Sequence, residues 1–192
     1  MRTAANILAL SLALLACTAG ATASAESNTP PPRRERDSKF IVGEGDYAPT
    51  FQIVTNDGDT IDSDMLRGQV VVLQFAASWC PFSQAQVVDH QEVIFDKYKS
   101  DANFAMILIC EDVEEDRPTF VSQREERGIS IPYTFDSGER IYRLFVTPNG
   151  SVTRTVVIGP DWRIAELRDM HTWGGMRSIR RCVGRLLRKM GR

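Results

Sequence analysis

Cys80 is the residue of this sequence best placed to do chemistry. It lies in the run VVVLQFAASWCPFSQ (70–84), where a β-branched stretch gives way to Trp79, Cys80 and Pro81. Proline directly after the cysteine suits the first turn of a helix, because the N–H it lacks has no partner there. A cysteine at that boundary faces unpaired backbone N–H groups and the positive end of the helix macrodipole. Both favour the thiolate, which is the nucleophile of disulfide exchange. Cysteines so placed titrate at about 3.5–7.5, against about 8.5 for a free thiol. The expected chemistry is attack by Cys80 on a disulfide. The alternative, an inert packed cysteine, fits poorly with a strand–helix junction beside Trp79.

The other reactive residue types carry less. The chain has four cysteines, Cys17, Cys80, Cys110 and Cys182. Cys182 falls on an apolar helical stripe and reads as core. His90 and His171 show no metal-ligand spacing with a cysteine or with each other, so no metal and no other cofactor is expected. Trp162, Trp173 and the methionines read as core or turn packing. The net charge of −2 gives no electrostatic case for nucleic acid. Charge is unevenly placed, however: residues 111–116 (EDVEED) are acidic, and 177–192 hold Arg177, Arg180, Arg181, Arg185, Arg188, Lys189 and Arg192. Both read as solvated surface.

The elements that must position Cys80 belong to one domain. A chain of 192 residues, 43% hydrophobic and 25% charged, suits a single globular unit with an extension. Residues 1–25 read as a targeting leader: Arg2, then the uncharged apolar run ILALSLALLA (7–16), too short to span a bilayer. Leu14-Leu15-Ala16-Cys17 resembles a lipobox that would lipidate Cys17, and A-x-A sites at 21–25 offer ordinary cleavage instead. The lipobox is preferred, because Cys17 has no other role. Residues 18–39 are small, polar and proline-rich and read as a disordered tether. The domain itself spans 40–192. With Cys17 set aside, the mature domain keeps an odd number of thiols, so an oxidising compartment leaves at least one free or paired to another molecule.

Within the domain, 50–55 and Thr60-Ile61 around Asn56-Asp57-Gly58-Asp59 predict an N-terminal β-hairpin. Asp62 to Leu66 predicts a short helical turn ended by Gly68. Residues 69–75 and 104–110 read as strands buried on both faces. A helix from Cys80 to about Lys99 lies between them, with Val87, Ile94, Phe95 and Tyr98 on one face. A second helix starts near Asp116 and Pro118 and ends at Gly128. An extended stretch at 131–135 and a short helix at 139–146 follow. Strands at 152–158 and 163–167, joined at Gly159-Pro160-Asp161, precede a final amphipathic helix at 175–190 carrying Ile179, Cys182, Val183, Leu186, Leu187 and Met190. Alternation of strands and helices argues an α/β fold with a central, partly parallel sheet.

The stretch from Ala48 through Cys80 (APTFQIVTNDGDTIDSDMLRGQVVVLQFAASWCPF), with IPYTFDSG (131–138) and VTRTVVIGPDWRI (152–164), resembles the TlpA/ResA and AhpC/TSA branch of the thioredoxin-like superfamily. The resemblance covers about residues 46–167. It implies a thioredoxin-like fold, a central mixed sheet flanked by helices with the N-terminal β-hairpin, and thiol–disulfide chemistry at Cys80.

Departures from the family pattern shape the expected mechanism. Ser83 stands where the family has its second cysteine, so this is a CPFS, monothiol variant; serine can hydrogen-bond the Cys80 thiolate but cannot attack a mixed disulfide. Gln86, Val88 and Gln74 replace the Glu, Pro and buried acid of relatives. Thr153, preceded by Val152, falls where relatives place a cis-proline beside the thiol, and is preferred over Pro148 for that role. Arg154 matches a peroxiredoxin arginine near the thiolate, although an exposed strand-end arginine is the favoured reading. Cys110, at the end of the adjacent strand, is a possible resolving thiol, with a packed strand cysteine as the alternative. Trp79, Pro81, Phe82, Val152 and Thr153 would line the substrate groove. Peroxidase chemistry lacks support, since Leu73 and Ala77 stand where its motif needs Pro and Thr or Ser. Cluster binding in the style of CGFS glutaredoxins rests on four residues and conflicts with the leader.

The expected function is therefore that of an exported monothiol oxidoreductase, periplasmic or anchored as a lipoprotein in a bacterial envelope. Its partners would be protein or small-molecule thiols and disulfides, and the membrane through a lipid on Cys17. The alternative is a redox-silent thioredoxin-like binding module in envelope protein maintenance.

Overall fold

The computed structural model describes residues 39–169 and 172–191. The expected leader, Cys17, His171 and all but the last residue of the expected tether lie outside them.

The apolar runs form the centre of the molecule. Strand β3 (Val70–Ala76) and strand β4 (Phe104–Cys110) pair in parallel, as two hydrophobic stretches, buried but for a half-buried Ala105 and joined by a helix, should. β5 (Tyr133–Phe135) adds in parallel beyond β4, while β6 (Arg154–Ile158) and β7 (Ile164–Asp169) add antiparallel on the other side. The five-stranded mixed sheet has the order β5-β4-β3-β6-β7. The hairpin of β1 (Gln52–Val54) and β2 (Thr60–Asp62) forms a separate two-stranded sheet. Gly58, at φ +87, supplies the left-handed residue its turn needs.

Alternation along β3 sends its side chains to two cores. Val71, Leu73 and Phe75 pack with Phe51, Phe145, Trp162 and Tyr142 under the hairpin. Two single 3₁₀ turns, Ser63–Leu66 and Tyr142–Leu144, help close that face. Val70, Val72 and Ala76 pack on the opposite face against α1 (Pro81–His90), α3 (Arg117–Glu126) and α4 (Trp173–Met190). Each such side chain removed from water contributes roughly 1.5–3 kcal/mol.

α1 does not run evenly to Lys99. A π-helical turn at Gln91–Phe95 interrupts it before α2 (Asp96–Tyr98). There the Gln91 side chain leaves the helix: its Oε1 accepts from the Ser130 and Ile131 N–H groups, and its Nε2 donates to Ser130 Oγ. This ties α1 to the chain entering β5.

Four local expectations need correction. The helix expected over 139–146 is only the 3₁₀ turn at Tyr142–Leu144, because Asp136 accepts from the N–H groups of Ile141 and Tyr142 and Glu139 takes a left-handed φ of 55°. The strand expected from Val152 begins at Arg154. Trp173, expected to pack, is 64% exposed at the start of α4, whereas Trp162 is in the core. Asp112 is buried rather than solvated, unlike its neighbour Glu114.

Candidate active site around Cys80

The C-terminal end of β3 carries the chain to Ser78, Trp79 and Cys80, and α1 starts at Pro81. Cys80 is the N-cap residue, with extended backbone (φ −99°, ψ 111°), and its carbonyl accepts the Gln84 N–H at 3.1 Å. Proline at the first helical position sets this boundary as the sequence predicts. The Phe82 and Ser83 N–H groups belong to the first turn of the helix that Cys80 caps. They do not form a regular side-chain cap, but lie near enough to favour negative charge on the sulfur.

A second element comes from 73 residues away. Thr153, just before β6, is 2% exposed, and its Oγ1 lies 3.4 Å from Cys80 Sγ and 2.8 Å from Ser83 Oγ. The antiparallel register that pairs Phe75 with Arg154 brings it there. Three side chains named from the sequence thus meet: Cys80, Ser83 and Thr153. Partial burial pushes the Cys80 thiol up, but the Thr153 hydroxyl, the Ser83 N–H and hydroxyl and the Phe82 N–H together outweigh it, so the pKa falls below its ordinary value. Cys80 is partly exposed, flanked by the outward-facing Trp79 and Phe82, while Val152 and Ser83 are buried.

Asp112 is a positioning residue that no sequence pattern announces. One residue in from the acidic run's start, it is 1% exposed. Its carboxylate accepts from the Ser78 N–H at 3.1 and 3.0 Å, from Ser78 Oγ at 2.6 Å and from Cys110 Sγ at 2.7 Å. The loop leading into Cys80 is therefore hung from the end of β4. Gln84 adds a second tie, donating to the Ala77 carbonyl at 3.0 Å while accepting from Arg127 at 2.7 Å.

Cys110 packs as a strand cysteine. It is fully buried, and burial together with the Asp112 carboxylate pushes its pKa far up, so it stays a protonated thiol. Cys182 is 3% exposed, and burial raises its pKa to about 11. Gln74, in place of the family's buried acid, accepts through Oε1 from His90 Nδ1 at 2.5 Å beneath α1. Arg154 is not the exposed strand-end residue expected. It is fully buried, its guanidinium over the Phe40 ring at 5.1 Å and 3.3 Å from Asp169, on the sheet face opposite α1. On that face too, Glu111 is pushed up to about 9, first by burial and then by Glu139, Asp136 and Asp112, with Arg154 opposing.

Comparison with known proteins agrees with this fold. The model of the AhpC/TSA family matches residues 44–167. The thiol-disulfide oxidoreductase ResA of Bacillus anthracis is 24% identical over 122 residues, covering 64% of this chain and 67% of that protein. A solution structure of a candidate protein disulfide isomerase from Bacteroides thetaiotaomicron superposes with TM-score 0.73 and 29% identity, over 78% of this chain and 93% of that one. A thioredoxin-family thiol:disulfide interchange protein from Chlorobium tepidum shares the fold, with TM-score 0.61 and 21% identity over 74% and 97% of the two chains.

Proposed function

The chain belongs to the AhpC/TSA family, and from that premise we propose that it is an exported monothiol oxidoreductase acting through Cys80. The Cys80 thiolate attacks one sulfur of a disulfide R–S–S–R′, the S–S bond breaks, and R′ leaves as a thiolate that takes a proton from water. The product is a Cys80–S–S–R mixed disulfide. A thiolate R″–S⁻ then attacks the Cys80 sulfur and releases R as a thiolate that takes a proton. A second R″–S⁻ attacks the outer sulfur of Cys80–S–S–R″, freeing Cys80 and forming R″–S–S–R″. Reduction of one disulfide thus consumes two equivalents of external thiol.

One observation carries this reading: the thiolate is favoured at Cys80 by Thr153 and the start of α1, while the position three residues on holds a buried hydroxyl. An external thiol is the better resolving agent, because Cys110 is buried, protonated and held by Asp112. Trp79, Pro81 and Phe82 form the exposed substrate-facing rim in this reading, while Val152 and Thr153, also expected there, are buried. The leader sequence and the lipobox ending at Cys17 support export and lipid anchoring.

Equilibration in a glutathione redox buffer, acid quenching and mass measurement before and after digestion test the proposal. A single glutathione adduct on Cys80 supports it. A Cys80–Cys110 bridge would make resolution internal, and an unmodified Cys80 would sink the redox reading. The exposed Trp79 (63%) and Phe82 (53%) also suit a redox-silent binding module. In that case Cys80→Ala would leave partner binding and biological activity intact.

A further inference from the structure

The cations of α4 take no part in the chemistry at Cys80. The helix WGGMRSIRRCVGRLLRKM holds Arg177, Arg180, Arg181, Arg185, Arg188 and Lys189 and no acid, in a chain of net charge −2. At about 100° per residue, these six and Trp173 fall on roughly one half of the helix circumference. All seven are exposed, whereas Met176, Ile179, Cys182 and Val183 on the other half are buried against the sheet. Among the described residues, none of the six cations forms an ion pair.

A groove of about 460 Å³ runs between this helix and β7. Four arginines line it, Arg168, Arg181, Arg185 and Arg188, against two carboxylates, Glu44 and Glu166. Arg168 answers both acids, at 2.8 Å to Glu166 and 4.0 Å to Glu44. Arg181, Arg185 and Arg188 follow as i, i+4 and i+7, one above another along the groove wall.

We propose that the exposed face of α4 seats the protein on an anionic phospholipid surface, with lipid phosphates in the groove beside β7. Guanidinium groups bind phosphate oxygens in paired hydrogen bonds. A row of them along a helix, all facing one way, matches an array of headgroups better than one small anion. Trp173, 64% exposed at the head of the row, supplies the indole that settles at the water–hydrocarbon boundary. The apolar half of α4 is already spent on the sheet, so the contact is adsorption through charge, not insertion of the helix. Among the described residues, no helix is long and apolar enough to cross a membrane. The lipid proposed on Cys17 would hold the domain near such a surface, but the adsorption itself does not depend on it.

The test compares the full chain with a variant carrying Arg177→Gln, Arg181→Gln and Arg188→Gln and the same N-terminus, so that any anchor contributes equally. Both are sedimented with vesicles of phosphatidylcholine alone or with one third phosphatidylglycerol. Cations near an anionic surface strengthen binding by about fivefold each. The native chain should therefore gain at least about tenfold in partitioning from the anionic lipid, and lose it in high salt. The triple variant should lose most of that gain while its Cys80 alkylates at the native rate, which shows that it is folded. Tryptophan emission should shift to the blue on anionic vesicles and not on neutral ones, and Trp173→Phe should remove that shift. Equal gain in both proteins, or no gain in either, overturns the proposal. So does displacement of the native chain from vesicles by millimolar inorganic phosphate, which would mark a small-anion site instead.

Discussion

Thr153 Oγ1 stands 3.4 Å from Cys80 Sγ, and the same oxygen lies 2.8 Å from Ser83 Oγ. One hydroxyl therefore links the nucleophile to the serine that replaces its usual partner thiol. Hydroxyl groups can donate or accept. When the sulfur is negative, Thr153 donates to it and can accept from Ser83, so charge on Cys80 is spread over a short chain of oriented dipoles. A neutral thiol can itself donate to Thr153, so the chain no longer has one fixed direction.

Thr153→Val keeps the volume and removes the donor. The pH of half-maximal Cys80 alkylation should rise, since the strongest of the influences that lower its pKa is gone. Thr153→Ser should retain the native profile. Iodoacetamide rates measured across pH decide this, and an unchanged profile in the valine variant would remove Thr153 from the account.

Ser83→Cys restores a dithiol. The Cα atoms of residues i and i+3 on a helical turn lie about 5 Å apart, within the roughly 4.4–6.8 Å between Cα atoms that a disulfide needs. Mild oxidation should then remove two hydrogens from the intact mass and protect Cys80 from alkylation. The variant should also turn over a disulfide substrate with dithiothreitol through an internal disulfide rather than an accumulating mixed one. Sulfur is larger than oxygen in this buried place, so some loss of stability is expected as well, of about 1–3 kcal/mol.

Asp112→Ala leaves the Ser78 N–H and hydroxyl without their acceptor. Stranding buried donors costs about 1–3 kcal/mol each, so a loss of about 3 kcal/mol and a fall in Tm of about 6–12 °C are expected for a domain of this size. Asp112→Asn keeps one acceptor oxygen and should lose less. Calorimetry gives the stability, and the spread of Cys80 alkylation rates reports whether the loop has slackened. Equal melting of wild type and alanine variant would mean that the carboxylate is not holding the loop.

Glu111 makes stability depend on pH in a direction opposite to most carboxylates. Its folded pKa of about 9 lies above the ordinary value of 4.5. Between those values the folded state binds the proton that the unfolded state has released, so stability falls as pH rises. The contribution is intact below about pH 4.5 and is lost by the time pH passes 9. Glu111→Gln, which cannot ionise, should flatten that part of the Tm profile. A native profile that rises from pH 5 to 9, and is unchanged in the variant, would contradict the assignment.

The central strands and the nucleophile were legible because local signals govern them. VVVLQFA and FAMILIC are short, apolar and largely β-branched, the mark of strands buried on both faces, and Pro81 after Cys80 marks a helix start wherever the rest of the chain lies. Thr153 was legible through family resemblance, although its contact with Ser83 needed the register of β3 against β6. Arg154 and Asp112 were misjudged for one reason: each is a charged residue at a strand end, where sequence favours solvent. Their burial depends on Asp169, Phe40 and Ser78, partners far along the chain that no periodicity announces. ERIYRLFV has helical spacing, but the Asp136 carboxylate and the left-handed Glu139 limit it to one turn. For Trp173 residue type favours packing, but type does not determine which way the first turn of a helix faces.

The helix bearing Cys80 is pinned at both ends, by Asp112 through Ser78 at the front and by Gln91 on the chain before β5 at the back. Such a rod has little freedom to swing toward an incoming sulfur. Adjustment of the in-line approach that exchange requires therefore falls to the visitor. Supple, unfolded chains and small disulfides should be handled quickly, and a rigid globule whose disulfide cannot turn to meet the rod should be handled slowly, even at equal redox potential.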